Sequence, residues 1–203
     1  MTMGCLFAIS VSLLCAAEIA GAPAVQNGGF EQAEGSDALV AWGFGCSNGC
    51  QGAMAIDREI KSEGAQSVRL SSDTEQAPHV YCGLSQCIES LTPGTTYRFS
   101  LHAKGEDIGT CWFGGGPDWG TRFYFPDETF DWQEYAVTWT CPAGEHAFEF
   151  RINADSPTGS LWIDDMRVAV APPEQQPITD PAAAEKARPG VYRTRSSAPE
   201  SFS

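Results

Sequence analysis

From residue 95 to 170 the apolar side chains return at every second position, and this habit constrains the fold more than any other feature of the chain. Tyr97, Phe99, Leu101 and Ala103 alternate with Arg98, Ser100, His102 and Lys104. Tyr135, Val137 and Trp139 alternate with Glu134, Ala136, Thr138 and Thr140, and His146, Phe148, Phe150 and Ile152 with Ala147, Glu149 and Arg151. Successive side chains of a strand point to opposite faces, so each run predicts a strand with one dry and one wet face. LWIDDMRVAV at 161–170 predicts a last strand and SVRLS at 67–71 a shorter one; further strands are expected at 39–44, 54–59, 79–83, 109–114 and 121–125. Pro93-Gly94 and Pro142-Ala143-Gly144 supply turns. Residues 54–64 carry only Ile56 and Ile60 as apolar anchors, so a strand ending in a polar turn explains them as well as a helix does. Many short strands, frequent turns and no long amphipathic helix specify an all-β sandwich of two antiparallel sheets.

The ends of the chain read differently. Residues 5–17, CLFAISVSLLCAA, followed by Ala22-Pro23-Ala24, form an expected signal peptide over 1–24, with Ala17 as an earlier cleavage point. The apolar run is too short to cross a bilayer comfortably, so no stable membrane insertion is expected. Leu14 before Cys15 is the wrong residue for a lipidation signal. Residues 171–203, rich in Pro, Ala and Ser, read as a flexible tail. One domain over 25–170 remains, and the expected location is secreted, extracellular or periplasmic.

Six cysteines stay in that domain: Cys46, Cys50, Cys82, Cys87, Cys111 and Cys141. An even count in an exported domain argues for disulfides. The pairing stays open; short spacing favours Cys46–Cys50 and Cys82–Cys87 as loop staples, with Cys111–Cys141 joining two strands. Irregular spacing and the lack of a nearby His argue against zinc. The formal net charge of −14 would repel a polyanion, so no nucleic acid is expected as partner. Oligomeric state leaves no mark in the sequence.

Five segments in order resemble the jelly-roll carbohydrate-binding modules of families four, nine and twenty-two, within the wider galactose-binding-like sandwiches. They are Asn27-Gly28-Gly29-Phe30-Glu31 followed by Trp42; Gly64 with Ser67 and Leu70; LTPGTTYRFSLHAKG at 91–105; Trp132 to Tyr135 leading into TWTCPAG at 138–144; and LWIDDMRV at 161–168. The resemblance implies a non-catalytic module that binds a polysaccharide or oligosaccharide; the alternatives are an extracellular structural or adhesion domain without sugar specificity and a small polysaccharide hydrolase or lyase. It also implies a structural calcium where the first strand meets the last, held by Glu31, Glu63 and Asp164, all oxygen donors of the kind calcium takes.

A sugar site needs flat apolar surfaces with hydrogen-bonding groups around them. Trp139 alternates with Tyr135 and Val137 and is assigned to the core. Trp42, Trp112 and Trp119 sit in Gly-rich loops that no strand face demands and are candidate platforms. Ser100 and His102 on one strand, and Glu149 and Arg151 on another, would converge on one outer face if both strands shared a sheet. No G-x-S-x-G, H-E-x-x-H or Walker sequence appears. Glu134 with Glu149 is the one carboxylate pair considered for glycoside hydrolysis.

Overall fold

The computed structural model describes residues 22–35, 38–47, 49–72, 80–155 and 158–175. Most of the expected signal peptide, most of the expected tail, and His79 lie outside them.

Among the described residues ten strands form: β1 (Gly43–Ser47), β2 (Ala53–Asp57), β3 (Ser67–Ser72), β4 (Tyr81–Ile88), β5 (Thr96–Glu106), β6 (Cys111–Gly115), β7 (Thr121–Tyr124), β8 (Phe130–Thr140), β9 (Phe148–Asp155) and β10 (Gly159–Val170). They build two five-stranded sheets, a front sheet ordered β1-β4-β9-β6-β7 and a back sheet ordered β2-β3-β10-β5-β8. Every pairing between them is antiparallel. The expected all-β jelly-roll sandwich is what the chain adopts.

The inward side chains of the two sheets meet in an aromatic core. Phe99 of β5 stacks on Phe148 of β9 with centroids 4.4 Å apart, joining back sheet to front. Trp139 of β8 meets Phe148 edge-on at 4.8 Å, as its alternation predicts. Phe113, Phe123, Phe125 and Tyr135 continue the cluster. One glycine is dictated by this closeness: Gly115 has φ of 146°, and a Cβ there would lie 2.0 Å from the Glu149 carbonyl oxygen.

Several local expectations shift. Residues 54–64 contain no helix: Asp57 Oδ1 accepts the amides of Glu59 and Ile60, both at 2.9 Å, which ends β2 in a side-chain-capped turn. The first strand begins at Gly43, because residues before it are occupied in a turn that pairs Ala33 with Leu39. His146 is exposed, not core-facing. The turn in which Glu145 N–H donates to Pro142 O delays β9 until Phe148.

Two of the three favoured disulfide pairings, Cys82–Cys87 and Cys111–Cys141, are corrected by strand geometry, whereas Cys46 and Cys50 do come together with their sulfurs within 4.8 Å. No disulfide joins any of the six cysteines. Cys82 and Cys87 lie five residues apart on β4, so they point to opposite faces, one buried and one exposed. Cys111 stands level with Ala154, beside the Glu106 end of β5, whereas the Cys141 amide bonds Thr95 O at the Thr96 end. The length of β5 separates them, on the order of 30 Å, far beyond the reach of a bridge.

Candidate ligand face

The outer face of the front sheet follows from strand register. One row across it reads Gly45, Gly83, Asn153, Trp112, Tyr124; the next reads Gly43, Ser85, Arg151, Gly114, Arg122; a third holds Ser47, Tyr81 and Asp155. Five strands make the face about 19 Å wide. On β1 and β4 five of these six positions carry only Gly or Ser, so that apart from Tyr81 that half lies low, while aromatic and guanidinium groups rise from β9, β6 and β7.

The raised half is internally ordered. Arg151 stacks on the Trp119 ring with its guanidinium carbon 4.3 Å from the centroid, and it bonds Glu149 Oε1 through Nε at 3.2 Å and Nη2 at 2.8 Å. Arg122 covers the Trp112 ring at 4.5 Å, and Trp112 Nε1 donates to Asp155 Oδ2 at 3.0 Å. Asn153 Nδ2 donates to the other oxygen of Asp155. These stacked pairs fix the side chains before any ligand arrives. Tyr81 and Tyr124 are 38% and 50% exposed, which leaves both rings accessible at this face.

The expected site residues are therefore divided. Glu149, Arg151, Trp112 and Trp119 come together here, though Trp112 is buried and one of its faces is taken by Arg122. Trp42 is a core residue, 7% exposed, packed on Phe30 and Phe150 with its Nε1 donating to Asn27 O at 3.1 Å. Its Gly-rich surroundings suggested a loop platform, but the opening segment folds over it. Ser100 and His102 lie on β5 in the back sheet, so they do not converge with Glu149 and Arg151. For the same reason Glu134 and Glu149 stand on opposite outer faces and form no catalytic pair.

Missed from the sequence were Tyr81, Tyr124, Arg122, Asn153 and Asp155. The signal was present: in TRFYF the inward Phe123 and Phe125 leave Arg122 and Tyr124 facing out.

The back sheet's outer face is covered by cross-strand ion pairs. Arg98 meets Glu134 at 2.9 Å, Lys104 meets Asp131 at 3.0 Å, and His102 Nδ1 lies 3.4 Å from Asp165, too long and poorly aligned for a hydrogen bond. The Arg98 hydrogen bond holds the Glu134 carboxyl below its usual range, and Lys104 does the same for Asp131. Ser100 is buried beneath these groups.

Glu31, Glu63 and Asp164 all reach the 60–66 loop, but as a clamp and not as a cation cage. Asp164, 1% exposed, accepts the Ser62 and Glu63 amides on Oδ2 at 2.9 and 3.0 Å and the Asp165 amide on Oδ1 at 2.8 Å. Glu31 Oε1 accepts the Ala65 amide at 2.9 Å. The Glu63 carboxylate points at Arg167 instead, 3.6 Å away. Carboxylate oxygens already facing N–H donors are poorly placed to face a cation, so this set does not fit calcium. Among the described residues, the group whose ligand atoms lie within 4.8 Å of one another is Cys46, Cys50 and Cys82.

No family model matches the chain, and no curated protein does. Solved structures do. A cyclase from Fischerella sp. TAU, in complex with 4-(1H-indol-3-yl)butan-2-one, superposes with a TM-score of 0.56 at 14% identity, covering 73% of this chain and 96% of that one. The fold is a jelly-roll β-sandwich. TmCBM61 in complex with β-1,4-galactotriose gives 0.52 at 18% identity over 72% of this chain and 97% of that one. The enzymatically active domain of bacteriophage CBA120 tailspike protein 4 gives 0.56 at 16% identity; 72% of this chain is covered, against 21% of the tailspike chain. At such identities the likeness concerns the jelly roll alone, and this jelly roll occurs in carbohydrate-binding modules and in catalytic domains alike.

Proposed function

We propose that this jelly roll is a non-catalytic, exported carbohydrate-binding module that holds a poly- or oligosaccharide chain across the outer face of the front sheet. One observation carries the reading. The exposed tyrosines Tyr81 and Tyr124 share that face with Trp119 and with Arg151 and Asp155, the latter held from below by the buried Asn153. Flat rings flanked by fixed donors and acceptors suit a ligand that is apolar on its ring faces and polar around its edge. The jelly roll that TmCBM61 uses with galactotriose adds fold-level support.

The test is a panel of soluble neutral polysaccharides screened by affinity electrophoresis, followed by calorimetry on each one retained. Tyr124→Ala and Arg151→Ala should each weaken binding at least tenfold, about 1.4 kcal/mol, without lowering the melting temperature. His102→Ala, on the back sheet, should leave affinity unchanged. Retention of no glycan, or equal losses in all three variants, sinks the assignment.

A further inference from the structure

Two cysteines four residues apart, Cys46 and Cys50, meet a distant third, Cys82, at one edge of the front sheet. Cys46 on β1 stands directly opposite Cys82 on β4, side by side on the inner face. The turn that follows β1 closes with Cys50 N–H donating to Ser47 O at 3.0 Å, which brings Cys50 back beside them. The three sulfurs lie within 4.8 Å of one another. Cys82 is fully buried, Cys46 is exposed and Cys50 lies between, so the cluster is rooted in the core and open at one side.

Gly52 completes the enclosure. Its amide donates to Cys50 Sγ at 3.3 Å, and Cys46 Sγ lies 3.3 Å from its carbonyl oxygen. A Cβ at Gly52 would come within 2.4 Å of Cys82 Sγ and 3.4 Å of Cys50 Sγ. The backbone is therefore pressed against the sulfurs, and it supplies an N–H donor of the kind that steadies a thiolate.

We propose that Cys46, Cys50 and Cys82 form a three-thiolate site for a soft, thiophilic cation of the zinc type. Three sulfurs are one more than a disulfide uses. They are also one fewer than a closed structural zinc centre holds, so a fourth position is left for water or an outside ligand. With Zn–S bonds of about 2.3 Å, tetrahedral coordination sets the sulfurs about 3.8 Å apart, within the spread already present. Binding one Zn²⁺ displaces one proton from each thiol and leaves the centre with a single net negative charge. Burial and the neighbouring thiols push Cys46 and Cys82 above the ordinary thiol range, a cost that a bound cation offsets. The competing fate in an oxidising compartment is a bridge between two of the three, which strands the third. The site is independent of the glycan face.

The test uses the full chain, reduced and kept free of oxygen, titrated with Cd²⁺ as a spectroscopic probe. Thiolate-to-metal charge-transfer absorbance should saturate at one equivalent, and Zn²⁺ should displace the Cd²⁺. Cys46→Ser, at an exposed position, should remove the band while leaving the melting transition in place; Cys87→Ser should keep it. In parallel, the chain purified without reductant is mapped by mass spectrometry for bridges and assayed for zinc. A band that survives Cys46→Ser, no band at all, or a metal-free chain bridged within the trio overturns the site.

Discussion

Replacing Asp164 by alanine tests how the 60–66 loop is held to the last strand. Its carboxylate receives three backbone amides, from Ser62, Glu63 and Asp165, at 2.8–3.0 Å, and it is almost wholly buried. Hydrogen bonds to a charged acceptor are worth about 1.5–3 kcal/mol each. Two effects reduce the sum. Burial pushes the Asp164 carboxyl above its ordinary range, so part of the gain is already spent on desolvation. Glu63 is exposed, so its amide recovers water when the carboxylate leaves. A net loss of about 2–4 kcal/mol is expected for Asp164→Ala, which lowers the melting temperature by roughly 5–15 °C in a domain of this size. Asp164→Asn keeps one acceptor oxygen and should lose about half as much. Scanning calorimetry of wild type and both variants, each with calcium and with a chelator, reads the result. The clamp reading expects the wild-type transition to ignore the chelator. A chelator that lowers wild type to the level of Asp164→Ala would show a carboxylate holding calcium, and an Asp164→Ala transition within about 2 °C of wild type would show that the clamp bears no weight.

Three further outcomes follow from the packing. Trp42→Ala removes a ring lodged between Phe30 and Phe150 and should cost about 3–5 kcal/mol in urea denaturation, while glycan affinity of the folded fraction is unchanged. Gly115→Ala puts a Cβ against the Glu149 carbonyl at a φ that alanine avoids and should cost about 1–3 kcal/mol or more, read in the same assay. Glu134 is held below the usual glutamate range by Arg98, so its stabilisation is present above pH 4.5 and is lost as pH falls through its folded value. Melting temperatures taken below pH 4.5 should therefore drop more steeply for wild type than for Glu134→Gln.

The sheets were legible in the sequence because alternation is a local signal, set by the geometry of one strand at a time. Tyr97 to Ala103 and Phe148 to Ile152 needed no partner to declare their faces. Which strand lies beside which is another matter. β5 and β9 show the same alternation yet belong to different sheets, so pooling His102 with Arg151 joined residues that the sandwich separates by its whole thickness. Trp42 failed for a related reason: its loop-like setting is real, but Phe30 folds across it from twelve residues away in the chain. The cysteines carried the least. The spacing from Cys46 to Cys82 says nothing of the β1–β4 register that sets them side by side, while the proximity of Cys82 to Cys87 in sequence points to a staple that strand geometry forbids.

The contrast between the two outer faces decides where a neutral, hydroxyl-rich ligand would sit. On the back sheet a sugar hydroxyl would have to displace an existing ion-pair partner of Arg98 or Lys104, and the exchange gains little because each cation already has a carboxylate. On the front sheet Arg122 forms none of the ion pairs seen among the described residues; its guanidinium rests on Trp112 with its N–H edge free to donate. Among the described residues the exposed aromatic rings on this outer face are Tyr81 and Tyr124, on β4 and β7. Burying apolar ring surface is favourable there, and the Arg122 donors lie within the same face. Arg122→Glu should therefore weaken a bound neutral glycan even though it leaves both tyrosines in place, because it removes the donors; unchanged affinity in that variant would move the contact off the β6–β7 half of the face.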